Sequence, residues 1–305
     1  MKLPVVRDLV RLAWPVLVAQ IAVMLYGVID TLLAGRYGTA DLAAVGIGSS
    51  IYISIFMATV GVLLALMPVA AQLFGAGRHA EIGEQVRQTL WLGVLMMAIS
   101  MILMAWPEPF FRITQASPAV ETKVRAYLRA ISIGVPALML FRVFSAFSTA
   151  ISRPRVVMVL NLLGLAIKVP LSWALLFGRL GLPEMGAAGC AMATAIATWI
   201  TCIAAWLLMR YDRSYAPYGV FARWSWPSWP ALRHLLAVGL PIGATFFVDV
   251  TAFTFMTLFI ARLGTATAGA HQIAANFAAL MFMLPLALGN AAGVLVGQAI
   301  GARAF

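Results

Sequence analysis

The sequence predicts an all-α polytopic membrane protein: about eight transmembrane helices, arranged as a six-helix N-lobe followed by the first two helices of a repeated C-lobe. Three observations carry that prediction. Hydrophobic residues make up 63% of the 305-residue chain and charged residues only 10%, against roughly 45–50% and 25% in soluble domains. Apolar stretches long enough to cross a bilayer recur eight times, each reaching the roughly 20 helical residues required. Finally, residues 231–305 repeat the opening of the chain at a shift of 226 positions, with no gap between the first anchor and the last.

The anchors of the repeat are Pro15 with Pro241, then Arg36-Tyr37-Gly38-Thr39-Ala40 with Arg262-Leu263-Gly264-Thr265-Ala266. Ala44 follows with Ala270, Ile47 with Ile273, and Gln72-Leu73-Phe74-Gly75-Ala76 with Gln298-Ala299-Ile300-Gly301-Ala302. A repeat this long in an apolar chain marks a membrane architecture of two similar halves, the plan of many secondary transporters. The first copy runs on well past Gly75, whereas the second stops at Phe305. A full second half would need on the order of 140 further residues, so the last helices are expected to be missing. The chain divides into an N-lobe over 1–210, a cytoplasmic inter-lobe linker over 211–230, and an incomplete C-lobe over 231–305.

The spans fall at 10–34, 43–74, 86–106, 121–150, 155–178, 185–209, 233–260 and 267–300. Several exceed the minimum, which predicts tilting or protrusion. Between them stand Gly35 to Gly38, Gly75-Ala76-Gly77, Pro107-Glu108-Pro109, Arg153-Pro154 and Gly181-Leu182-Pro183. The linker carries Trp224, Trp226 and Trp229, aromatics suited to the membrane–water interface. Lys2, Arg7 and Arg11 precede the first apolar run, which is far too long for a signal-peptide core and is kept as a span.

Orientation follows from the basic residues. The N-terminus and the segments after spans 2, 4, 6 and 8 carry twelve Lys and Arg; the opposite side carries seven. The positive-inside rule then places the N-terminus in the cytoplasm. Six spans per half is an even number, so the halves should be related by an axis along the membrane normal, with a cleft between them. The net charge of +11 is no nucleic-acid footprint, because its Lys and Arg sit singly or in pairs between apolar spans. Cys190 and Cys202 share one helix and point about 120° apart, so they are read as free buried thiols.

Catalytic patterns are absent: the sequence has no GxxxxGK[ST], HExxH, GxSxG or CxxC, and His79, His234 and His271 lack metal-ligand spacing. No enzyme, cofactor or metal is expected. What remains is a short set of polar groups inside spans, where a charge at the bilayer centre costs about 2.5–3.5 kcal/mol. Asp30 in span 1 and Asp249 in span 7 lie on similar helix faces, and two carboxylates on a shared cleft would attract a cation and exchange it for a proton. Lys168 lies mid-span in span 5 on one face with Asn161 and Ser172. It is expected to pair with Asp30, its tethered ammonium standing where a sodium ion would bind. Thr194, Thr198 and Thr201 form a second polar stripe on span 6, and Tyr26 precedes Asp30 by one turn. Gln272 and Asn276 are one turn apart on span 8. Arg142 in span 4 is expected to snorkel or to brace carbonyls.

These residues sit in stretches that resemble the multidrug and toxic compound extrusion (MATE) transporters, in their NorM-like branch. The stretches are Val28-Ile29-Asp30-Thr31-Leu32-Leu33-Ala34-Gly35, Val69-Ala70-Ala71-Gln72-Leu73-Phe74-Gly75, and Lys168-Val169-Pro170-Leu171-Ser172-Trp173. They continue with Ala270-His271-Gln272-Ile273-Ala274-Ala275-Asn276-Phe277 and Met283-Leu284-Pro285. The resemblance implies twelve spans in two lobes and a multi-pass protein of the bacterial inner membrane, monomeric at full length. It further implies an antiporter exporting small organic cations in exchange for H⁺ or Na⁺. By position, Asp30 looks like the N-lobe coupling acid and Asp249 like the C-lobe acid, where the pattern more often has Glu. Ser50 and Gln272 look like substrate contacts. Lys168 stands where the family pattern has Asn, and Ser172 where a second Asn is usual. Two lost amide ligands and an added charge tilt the expectation to H⁺. The rival readings are a lipid-linked oligosaccharide flippase, which would want a strongly cationic cleft, and a non-transporting fragment.

Overall fold

The computed structural model describes residues 3–114, 118–179, 181–223, 225–261 and 265–303. Regular structure among them is entirely helical: α1 (Leu3–Tyr37), α2 (Thr39–Leu63), α3 (Leu66–Gly75), α4 (His79–Ala105), α5 (Glu108–Thr114), α6 (Pro118–Ser132), α7 (Val135–Ala150), α8 (Pro154–Phe177), α9 (Ala187–Tyr211), a 3-10 turn (Arg213–Tyr218), α10 (Trp229–Ala261) and α11 (Thr265–Gly301). Seven spans are long and apolar enough to cross a membrane, and eight when the bent pair α6–α7 counts as one. The expected all-α polytopic fold is therefore present.

Prolines explain where two expected spans break. The span at 43–74 divides into α2 and α3. Pro68 has no N–H to offer the Leu64 carbonyl, and the Met67 amide takes that acceptor instead at 3.0 Å. The span at 121–150 bends by 48° between α6 and α7. There Pro136 cannot reach back to Ser132, and the turn closes through Gly134 N–H to the Ile131 carbonyl at 2.9 Å. The Pro107-Glu108-Pro109 punctuation hides a short helix, α5, tied to α6 by Glu108 and Arg125 at 2.6 Å. That Arg125 contact holds the Glu108 carboxyl below the ordinary carboxylate range.

The core lies mainly inside the bundle of α1 to α9 and is filled by residues such as Phe144, Phe147, Leu63, Leu66 and Met139, all 2% exposed or less; Leu235 of α10 and Val294 of α11 reach into it. The second half packs on the first with a pseudo-two-fold plan. α10 lies along α2, its repeat-related mate α1 lies along α11, and α3 meets α11 between them. The contact between α1 and α11 is a small apolar cluster in which Leu12 and Ala13 meet Ala291.

Residues 211–230 are more structured than a surface linker. Tyr215 and Tyr218 are buried, and burial raises both phenols above their usual range. Gly219, Val220, Ser225 and Trp226 dock on α4 through Arg87, Gln88 and Trp91. The Trp226 ring stacks on Trp91 at 6.2 Å, while Trp229 is exposed and Trp224 lies outside the described residues. The Ser214 N–H, helped by Arg153, holds the Asp212 carboxyl below the usual carboxylate range. A lowered folded-state value stabilises the fold above the unfolded carboxylate range and is lost as pH falls through the folded value. Asp212→Asn is accordingly expected to lower the melting temperature at about pH 7 and to change it little at about pH 2, as thermal unfolding in detergent would show.

Candidate functional site

Asp30, near the C-terminal end of α1, is 5% exposed, and Lys168, in the middle of α8, is fully buried. α1 and α8 pack closely along their lengths, and this brings the two side chains together as an ion pair: the Lys168 ammonium donates to Asp30 Oδ1. The same ammonium donates to the Tyr26 carbonyl at 3.2 Å, one turn earlier on α1, and stands 5.3 Å from the centre of the Tyr26 ring. Three acceptor groups of one helix thus hold one cation, two through hydrogen bonds and the third through the ring's electron-rich face.

Around the pair lie Ser172, the Cys190 thiol of α9 and the Tyr127 phenol of α6. Ser172 is fully buried and its Oγ has no hydrogen-bond partner. The wall behind Tyr26 is Gly164, whose missing side chain leaves room for the phenol oxygen. A Cβ at Gly164 would run into Tyr26 Oη and come within 2.9 Å of Thr201 Cγ2. Gly164→Ala is therefore expected to cost about 1–3 kcal/mol by overpacking, measured as a fall in detergent thermal stability.

The expected site residues divide into those the fold gathers and those it does not. Asp30, Lys168, Ser172 and Tyr26 converge. Thr194 and Thr198 spend their hydroxyls on their own helix, donating to the Cys190 carbonyl at 3.0 Å and the Thr194 carbonyl at 2.7 Å. Asn161 is half-buried two turns from Lys168, and Ser50 is exposed with its hydroxyl on the Gly46 carbonyl at 2.8 Å. The side chains of Gln272 and Asn276 lie outside the described residues.

Two expectations need correction. Asp30 and Asp249 do not share one environment: Asp30 is turned into the bundle against α8, while Asp249 is exposed on α10, which packs on α2. The reason is that equal helix faces point to one place only when the helices themselves are adjacent. Arg142 does not snorkel, since its guanidinium lies 5.3 Å over the Phe56 ring of α2 and its Nε is buried with no hydrogen-bond partner.

Tyr127 and Cys190 are the members of the pocket that sequence reasoning missed. Cys190 carried a signal, because it lies one turn before Thr194 and extends that stripe. Asp41 was also missed: it pairs with Lys123 at 2.6 Å and accepts from the Ala187 N–H at 2.9 Å, pinning α2 to α6 and to the start of α9. Its partners are distant in sequence, which leaves no local pattern. Among the described residues no group of three or more His, Cys, Asp or Glu is placed to hold a metal ion.

The chain matches the MatE family model over residues 15–174 and 241–305. It is 44% identical, over 95% of its length, to the probable multidrug resistance protein NorM of Aromatoleum aromaticum, of which it covers 63%. It is 36% identical to the multidrug resistance protein NorM of Vibrio cholerae, over 96% of this chain and 64% of that one. Among solved structures it is similar to the MATE transporter NorM-NG in its complex with a monobody, at 30% identity, a TM-score of 0.79, and coverage of 96% and 64%. A eukaryotic MATE transporter, AtDTX14, shares the fold alone, with a TM-score of 0.87 at 18% identity over 97% and 66%. The chain thus spans 63% to 66% of the length of these relatives. With the family model matching both copies of the repeat and a buried Asp30 beneath the first of them, this chain belongs to the MatE family, a family of transporters rather than enzymes.

Proposed function

We propose that the chain serves a secondary active multidrug efflux antiporter that exports small organic cations across the bacterial inner membrane in exchange for protons. The reading places the N-terminus in the cytoplasm and the full-length protein as a monomer. The single observation that carries proton coupling is the Lys168–Asp30 pair. Its ammonium takes up the oxygens a sodium ion would need, Asp30 Oδ1 and the Tyr26 carbonyl, and the other groups beside Asp30 are a hydroxyl and a thiol. Oxygen-rich, flexible ligation favours a hard alkali cation, whereas here the carboxylate and the Tyr26 carbonyl are already held by a tethered charge.

The chemistry follows from charge balance in a medium where unpaired ions are costly. With Asp30 ionised, Lys168 is neutralised and the pocket is electrically closed. A proton delivered to Asp30 removes the counter-charge of Lys168, so the ammonium is released from the carboxylate and the packing of α1 on α8 changes. Loss of that proton restores the pair. This sequence gives protonation a structural consequence without a metal. The names of the relatives support export of multiple drugs as the output.

Efflux of a cationic dye from proteoliposomes tests the proposal, with a pH gradient and a Na⁺ gradient imposed separately. The 305-residue chain is compared with the chain continued by any coding sequence that follows it. Efflux driven by the pH gradient alone, and abolished by Asp30→Asn, is the expected result. Efflux that follows the Na⁺ gradient would overturn proton coupling.

A further inference from the structure

The bend between α6 and α7 opens a cavity far from the Asp30 pocket. The 48° turn at this break carries α6 off the line of α7. α4 packs along α7 but meets α6 only lightly, while α6 leans onto α9 and α2. Between α4 and α6 this leaves a cavity of about 360 Å³. Its floor is formed by Met104 and Leu128, both buried, and its α6 wall carries Arg125 and Arg129.

The cavity lies at the membrane surface opposite the one where α1 begins, because α4 is the third crossing and the cavity adjoins its last residues. Trp106, between the lining residues Ala105 and Pro107, is 70% exposed, the setting of an interfacial tryptophan. Beside it α4 turns Leu95, Ile99 and Ile102 outward, as a lipid-facing helix does.

Arg125 and Arg129 are one turn apart on the same face of α6, and like charges at that spacing repel. Arg125 is answered by Glu108 at 2.6 Å and by the Phe111 ring, 4.8 Å from its guanidinium. The Arg129 guanidinium has no ion pair or hydrogen bond among the described residues; the Ser132 hydroxyl is spent on the Arg129 carbonyl at 2.7 Å. Two guanidiniums against one carboxylate leave the cavity one positive charge.

We propose that this cavity binds the phosphodiester of a membrane lipid, with phosphatidylglycerol as its occupant. A phosphodiester carries one negative charge, which matches the charge left over, and the planar fork of a guanidinium holds two of its oxygens at once. Seated between Arg125 and Arg129, it replaces one repulsion by two attractions. The glycerol headgroup is neutral, whereas an ammonium headgroup would add a cation and find Glu108 already engaged by Arg125. The acyl chains then run down the outward face of α4. Basic cavities between membrane helices take anionic headgroups by the same means. The assignment rests on the membrane fold and is independent of which ion or cargo is moved.

Photoactivatable lipids in proteoliposomes test it. The 305-residue chain and Arg129→Gln are reconstituted in phosphatidylcholine vesicles. Each receives a trace of phosphatidylglycerol or of phosphatidylcholine with a diazirine on one acyl chain, and the adducts are mapped by mass spectrometry. In the unmutated chain, adducts over residues 95–106 and 125–133 are expected to be about tenfold more abundant from the phosphatidylglycerol probe. Excess unlabelled phosphatidylglycerol should remove that enrichment. Arg129→Gln should bring the two probes level there, with adducts elsewhere unchanged to report an intact fold. Arg213→Gln, at the other membrane surface, should leave the enrichment in place. Equal adducts from the two probes in the unmutated chain would overturn the site. So would an equal loss in Arg213→Gln, which would show general attraction to a basic protein. Removal of the enrichment by soluble glycerol 3-phosphate would make it a site for free phosphate esters and overturn the lipid.

Discussion

Lys168→Ala is expected to produce the largest loss of stability of any single change in the bundle, about 3–5 kcal/mol, because it leaves a carboxylate buried without its partner. Asp30 is 5% exposed, its pocket has no second cation among the described residues, and neither the neutral Ser172 hydroxyl, which makes no hydrogen bond, nor the Cys190 thiol can replace an ammonium. The chain's remaining response is to protonate Asp30, which removes the buried charge but not the lost packing of the Lys168 stem. Dye efflux by the variant should therefore lose its dependence on the pH gradient. The double change Asp30→Asn/Lys168→Met removes both charges and is expected to recover most of the stability without recovering efflux. Thermal unfolding in detergent across pH, paired with efflux, separates these outcomes. If Lys168→Ala left both the melting temperature and the pH profile unchanged, the pair would have no part in coupling.

Gln88→Leu is expected to cost about 2–3 kcal/mol although Gln88 is far from the Asp30 pocket. The residue is 1% exposed, its amide donates to Glu84 at 2.7 Å and to the Trp226 carbonyl at 2.9 Å, and its carbonyl accepts from the Ser228 N–H at 2.9 Å. An apolar side chain of similar size fills the space but leaves the Trp226 carbonyl and the Ser228 amide unpaired. Those two groups fix the chain just ahead of Trp229, where α10 begins, so the loss falls on the joint between the halves. Arg87 still holds Gly219 at 2.9 Å and Ser225 at 2.9 Å. Faster hydrogen exchange should therefore be concentrated after residue 225. Uniform exchange across 211–228 in Gln88→Leu would show that the linker is held elsewhere.

Much of this molecule was legible before any coordinates, for reasons that can be named. Apolar stretches of bilayer length and a backbone that must satisfy itself inside lipid leave only helices, so the spans from α1 to α11 followed from composition and punctuation. The repeat at 226 positions set the two-fold plan, because equal sequences fold to equal units that pack by symmetry. Even the Lys168–Asp30 pair was predictable, since a mid-span lysine too far from either interface to snorkel has to find a carboxylate.

What only the tertiary structure decided are the relations between side chains on different helices. Periodicity states which face of a helix a residue occupies but not which helix that face meets. For that reason Asp249 was grouped with Asp30, and Asp41, Tyr127 and the Gln88 anchor went unnoticed. Their partners lie tens to more than a hundred residues away, on helices brought alongside by packing. The crossing of α3 and α11 shows the same division: the sequence supplied Ala71 and Gly297 at equivalent positions, and only the packing of the two helices brought them into contact. Local order is written in the pattern of the chain, because it arises from neighbours along the backbone. Sites are written in the packing, because dispersion and paired charge act only between atoms that the fold has already brought together.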